Sequence, residues 1–125
     1  MRACVLAHQV GCPLVLSSLT HSTAAGIVKA RKSKGCVVAA EVTAASLACD
    51  GASYWNKCWR HAAGFVTSPP IREAEQDYLL GAAVDGTVDV VSSHHAAYNT
   101  QQKALGKNNF ASQLRGTPQV EARSE

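Results

Sequence analysis

Three histidines stand where imidazole nitrogens can take a divalent cation: His21, just beyond one apolar run, and the adjacent His94 and His95, just beyond another. Imidazole is a common zinc ligand, and three protein ligands with one open position make a hydrolytic zinc site. The plainer reading is three exposed loop histidines, and neighbours on an extended strand point to opposite faces. Asp50, Glu73, Glu75 and Asp77 suggest paired acid–base carboxylates. They read more simply as a loop end and a helix N-terminus, where the dipole favours negative charge. Cys49 and Cys58 have no nearby base that the sequence identifies, so a nucleophilic thiol is not supported. Tyr54, Trp55 and Trp59 form either a stacking platform or, more simply, a core or interface cluster. The basic run Lys29, Arg31, Lys32 and Lys34 reads as a solvated helix end.

The elements that must position these groups follow from apolar runs and breakers. The first helix runs over residues 2–12, with Gly11 as its left-handed stop and Pro13 just beyond. Leu14-Val15-Leu16 opens a strand that continues into Ser17-Ser18-Leu19. Ser22 or Thr23 caps a helix that Gly35 ends, and Cys36 to Glu41 is a second strand. A long irregular stretch carries the aromatic cluster and ends at the rigid turn Ser68-Pro69-Pro70. A helix over 73–83, a third strand over 88–92 and a short helical turn over 101–105 complete the order. Apolar strands separated by helices predict an α/β fold with a parallel sheet. Three strands make an awkward complete domain, so a piece of something larger fits better.

Composition narrows the function classes. Hydrophobic residues are 46% and charged residues 17% of 125, with 12 Lys+Arg against 9 Asp+Glu. A net charge of +3 with scattered basic residues does not suggest nucleic-acid binding. No apolar run approaches the ~20 residues needed to span a bilayer. The N-terminal apolar stretch is broken by His8-Gln9 and reads poorly as a signal peptide. Five cysteines, Cys4, Cys12, Cys36, Cys49 and Cys58, have no CxxC spacing. They predict free thiols in a reducing cytoplasm rather than a disulfide framework.

Several strings resemble one family. Tyr54-Trp55-Asn56-Lys57 with Trp59, His61-Ala62-Ala63, Val66-Thr67-Ser68-Pro69-Pro70, and Asn99 to Lys107 with Phe110 are similar to dihydropyrimidinases and dihydropyrimidinase-related (collapsin response mediator) proteins of the amidohydrolase superfamily. Weaker matches are Cys12-Pro13-Leu14, Gly35 with Val37-Val38 and Glu41, Ala45-Ser46-Leu47 and Asp50-Gly51. The likeness runs from about Gly11 to Arg123. It implies that residues 1–125 are a fragment of an amidohydrolase-related domain: the last three β/α units of a partial (β/α)8 TIM-type barrel, whose whole takes ~250 residues. A truncated isoform, a fragmentary gene model and a partial duplicate each fit such a chain.

The resemblance also implies site chemistry. Catalytic members hydrolyse a cyclic amide with two zinc ions, because bound Zn²⁺ brings the pKa of water down to about 7. One family ligand, a histidine, corresponds to Ser18, whose neutral hydroxyl is a poor zinc ligand. Another, the last-strand aspartate that also shuttles the proton, corresponds to His94. Both replacements point away from zinc hydrolysis, so no catalytic residue and no cofactor is expected for this chain. A rebuilt site from His21, His94 and His95 is the weaker alternative. Ser68 matches a residue whose backbone contacts the pyrimidine ring, and the family's second ring-contact region becomes Pro118-Gln119.

The implied role is therefore a non-catalytic, cytoplasmic protein working through association. Its implied partners are copies of itself or family members, typically as a tetramer, and cytoskeletal or signalling proteins. An incomplete copy of a dihydropyrimidinase, acting on 5,6-dihydropyrimidines, is the alternative. A degenerate product that folds poorly through its open sheet edge is the third.

Overall fold

The computed structural model describes residues 1–117. Helix α1 (Arg2–Gln9) leads into strand β1 (Leu14–Leu19), and helix α2 (Ser22–Lys32) crosses to β2 (Val38–Thr43). The short helix α3 (Ala44–Ala48), a 3-10 turn (Gly51–Trp55) and helix α4 (Trp59–Gly64) fill the loop region. Helix α5 (Gln76–Val84) then feeds β3 (Val90–Ser92), followed by helix α6 (Thr100–Ala104) and a last 3-10 turn at 110–112. Gly11 and Gly35 both take positive φ, 68° and 77°, just past the first two helices. That conformation is where glycine escapes the Cβ penalty.

The three strands are parallel in the order β1-β2-β3. Leu14 lies opposite Val38 and Leu16 opposite Ala40, but Leu19 lies opposite Val42. Three steps along β1 therefore match two along β2, and one extra residue bulges out beside Ser18. A bulge bends its strand and re-aims the side chains around it.

One face of the sheet carries the core. Val38, Ala40 and Val42 of β2 pack with Ala25 and Val28 of α2 and with Leu79 and Ala82 of α5, and Leu14 and Leu16 pack against this cluster. Alternation sends Val15, Ala39, Glu41 and Val90 to the opposite face. The strand sequences are apolar on both faces, as parallel sheets require, yet helices cover only one. Val15 is 70% exposed on the other.

The basic run is not simply solvated. Lys29 Nζ donates to Asp85 at 2.6 Å, and Lys32 Nζ donates to Asp89 at 2.6 Å and to the Gly86 carbonyl at 3.2 Å. Asp89 also accepts the Ala40 N–H at 2.7 Å, tying the end of α2 to the entry of β3. The Lys32 ammonium beside it, followed by that N–H, holds the Asp89 carboxyl below the usual carboxylate range.

The stretch expected to be irregular contains α3, the first 3-10 turn and α4. These helices have five and six residues, less than two turns each, so no apolar period has room to repeat. Side-chain oxygens start α3 and the first 3-10 turn, whereas α4 has no side-chain cap. Thr43 accepts from Ser46 N, and Asp50 accepts from Ala52 N.

Candidate functional site

Two non-glycine residues at one end of the sheet share an unusual backbone. Ser18, inside the β1 bulge, has φ 57°, and His94, just past β3, has φ 44°. Such left-handed conformations are costly for residues with a Cβ and persist where the surroundings over-determine them. The two side chains meet: Ser18 Oγ lies 3.2 Å from His94 Nδ1, across 76 residues of sequence. This pair lies at the C-terminal end of the strands, the end at which parallel β/α sheets build their sites.

A second cluster joins the same loops. His21 is the N-cap of α2, in place of the expected Ser22 or Thr23, and its Nδ1 accepts the Thr23 N–H at 3.0 Å. Nε2 therefore carries the ring proton and faces Glu75 Oε1 at 3.4 Å. Ser22 is withdrawn from capping because Glu75 takes both its groups, the N–H at 2.7 Å and the hydroxyl at 3.2 Å. Glu75 was expected to serve the N-terminus of its own helix; its carboxylate instead faces the positive end of α2. On the open sheet face, the Ser92 hydroxyl donates to Glu41.

These arrangements decide what the histidines can hold. Both nitrogens of His21 are engaged, and His94 Nδ1 faces a neutral hydroxyl. His95 follows His94 beyond β3 and is exposed. Among the described residues no three His, Cys, Asp or Glu side chains gather in a group that fits a metal ion. The donor set at Ser18 and His94, one neutral hydroxyl and one imidazole, does not suit zinc.

The remaining sequence-derived residues are dispersed. Ser68 is exposed and precedes Pro69 through a cis peptide bond. Pro118 and Gln119 lie outside the described residues. The aromatic cluster divides: the Tyr54 hydroxyl accepts the Ile71 N–H at 2.9 Å, while Trp55 is 79% exposed with its Nε1–H on Glu73 at 2.5 Å. Glu73 is thus bound to an indole and Glu75 to α2, and they do not act as a pair. Asp50 caps the first 3-10 turn and Asp77 lies exposed in the first turn of α5. All five cysteines are free, and burial pushes the Cys49 thiol up.

Sequence reasoning missed two buried polar residues. Lys103 is 5% exposed, donates to the Val66 carbonyl at 3.3 Å and lies 5.9 Å from the centre of the Tyr98 ring. Burial lowers its pKa. Gln113 is also buried, and its Nε2 has no hydrogen-bond partner. No sequence signal marks either, since both residue types ordinarily sit at the surface.

No protein-family profile matches the chain. Individual proteins do. A rat (Rattus norvegicus) dihydropyrimidinase is 38% identical over 125 residues, which is 98% of this chain and 24% of the rat protein. Human (Homo sapiens) dihydropyrimidinase-related protein 5 is 34% identical over 124 residues, 98% of this chain and 22% of its own length. Among solved structures, a D-hydantoinase superposes with a TM-score of 0.89 at 30% identity, over 97% of this chain and 26% of the other. A D-hydantoinase (dihydropyrimidinase) from Thermus sp. gives 0.91 at 26% identity, over 98% and 27%. The chain thus spans about a quarter of the length of the proteins it matches. Its three parallel strands and their helices superpose on part of the TIM-barrel hydantoinases, as a partial barrel does.

Proposed function

We propose that this chain, whose homologues are dihydropyrimidinases and dihydropyrimidinase-related proteins of the amidohydrolase superfamily, acts by protein association and not by zinc hydrolysis. The observation that carries the reading is the hydrogen bond between Ser18 and His94. The resemblance expects a histidine and an aspartate at these two positions, both metal ligands. Here a neutral hydroxyl and an imidazole satisfy one another. A histidine also lacks the second oxygen with which a carboxylate can hold metal and proton together.

Association draws on the exposed apolar surface. Trp55, Leu80, Val84 and Leu105 are all exposed, and exposed apolar patches commonly mark interaction sites. Copies of this chain or of its homologues are the partners that the open sheet face fits, and cytoskeletal proteins come from the family reading alone. With five free thiols, the reading takes the chain as cytoplasmic.

The test is zinc content and dihydrouracil hydrolysis by the full 125-residue chain. The reading predicts no stoichiometric zinc and no turnover; tight zinc together with turnover overturns it. One observation favours the alternative, a partial copy of an enzyme that cleaves the cyclic amide C–N bond of 5,6-dihydropyrimidines: identity is higher to the rat dihydropyrimidinase than to the human related protein. Under that reading, turnover belongs to a longer chain, and Ser18 and His94 would still have to be accommodated.

A further inference from the structure

The two edges of the sheet end alike. At the β1 edge Leu6 of α1, Val10 just past it and Val15 of β1 are exposed; at the β3 edge Leu80 and Val84 of α5 and Val90 of β3 are exposed. Helix geometry says where the α5 pair points. Tyr78 and Leu80 sit about 100° to either side of buried Leu79, and the Tyr78 hydroxyl lies against Gly26 of α2. Leu80 and Val84 therefore lie on the flank away from α2, beyond β3. Neither β1 nor β3 has a strand neighbour on its outer edge among the described residues. Within the strands Glu41 is the one charged residue, and it already accepts the Ser92 hydroxyl. Strand and helix layers are thus both apolar at both edges, which fits a neighbour that brings a parallel strand and a helix to each.

Strand number chooses among such neighbours. The chain superposes at a TM-score of 0.91 on a D-hydantoinase, TIM-type barrels close at eight parallel strands, and this chain supplies three. Copies of it add strands in threes and miss that number, whereas five β/α units complete the ring and remove both edges at once. We propose that the chain docks by both edges, in trans, onto the five complementary β/α units of a homologous barrel. The proposal rests on the association reading and narrows it to one partner. Copies pairing through the same edges leave an edge open or close at the wrong strand number, so the five-unit partner displaces them.

The test co-expresses the full chain with tagged rat dihydropyrimidinase from which the matching quarter has been deleted. Chain retained on the tag is measured, and the eluate is weighed by size-exclusion chromatography with light scattering. A one-to-one complex should form, and the tagged intact rat protein, whose barrel has no open edge, should retain at least about tenfold less chain. Val10→Lys and Val84→Lys change opposite edges at residues 74% and 83% exposed, so the chain's own urea midpoint should not move. Each should cut retention at least about tenfold, while Leu105→Lys, exposed just past α6, should not. Absence of the one-to-one complex, equal retention by the intact protein, or sensitivity at one edge alone overturns the proposal. In each of those cases a discrete zinc-free oligomer of the chain by itself leaves the association reading standing, so the two fail separately.

Discussion

Replacing Glu75 by Ala tests whether α2 is anchored as the structure has it. The carboxylate is 15% exposed and lies 53 residues from the serine it binds. It accepts the first N–H of α2 at 2.7 Å and the Ser22 hydroxyl at 3.2 Å. A hydrogen bond to a charged group contributes about 1.5–3 kcal/mol, and a negative charge at a helix N-terminus about 0.3–1 kcal/mol. Water reaches part of this site and replaces some of the loss, so Glu75→Ala should cost about 2–3 kcal/mol. With a urea m-value of about 1–3 kcal/mol/M, the midpoint falls by roughly 0.7–3 M at unchanged m. Glu75→Gln keeps an acceptor but not the charge, and should lose about half as much. Ser22→Ala removes the weaker bond alone and should cost about 0.5–1 kcal/mol. If Glu75→Ala lies within about 0.5 kcal/mol of the parent, as surface changes do, this anchoring is wrong.

Leu79 is completely buried between α5 and the sheet, so Leu79→Ala should cost about 2–5 kcal/mol in the same urea experiment. Asp89 is held below its ordinary value of 3.8, chiefly by Lys32. A depressed carboxyl supports the fold above its unfolded pKa and loses that support as pH falls through the lower folded one. Stability should therefore drop below about pH 4, and Asp89→Asn should be less stable at neutral pH with a flatter acid limb; an unchanged limb would refute the pairing. Thiol labelling followed by mass spectrometry should modify exposed Cys12 and Cys58 first and Cys49, whose thiol is pushed up by burial, later. Buried Cys4 and Cys36 should react only on unfolding; early labelling of either would contradict the packing.

Strands β1 and β2 were legible because each opens on an apolar run just past a breaker, Pro13 and Gly35, and a parallel sheet followed from the helices between the strands. Local competition decided what was misread. His21 caps α2 because Ser22, the ordinary choice, is engaged by a carboxylate from a distant loop. The helices at 44–48 and 59–64 are too short to carry a period. Ser18 and His94 could be marked as positions through the resemblance, but their contact could not. It depends on the extra residue in β1 and on two left-handed backbones. Gln113 and Lys103 looked like surface residues because their burial comes from tertiary packing alone.

The central claim, association without zinc, is tested most directly by size-exclusion chromatography with light scattering on the full chain, with zinc assayed in the same peak. The account predicts a discrete oligomer carrying no stoichiometric metal. A well-defined species holding tight, stoichiometric zinc would contradict it and return His21, His94 and His95 to consideration as ligands. Material only in the void volume would contradict it from the other side, because the open face of the sheet would then not support a folded association module by itself.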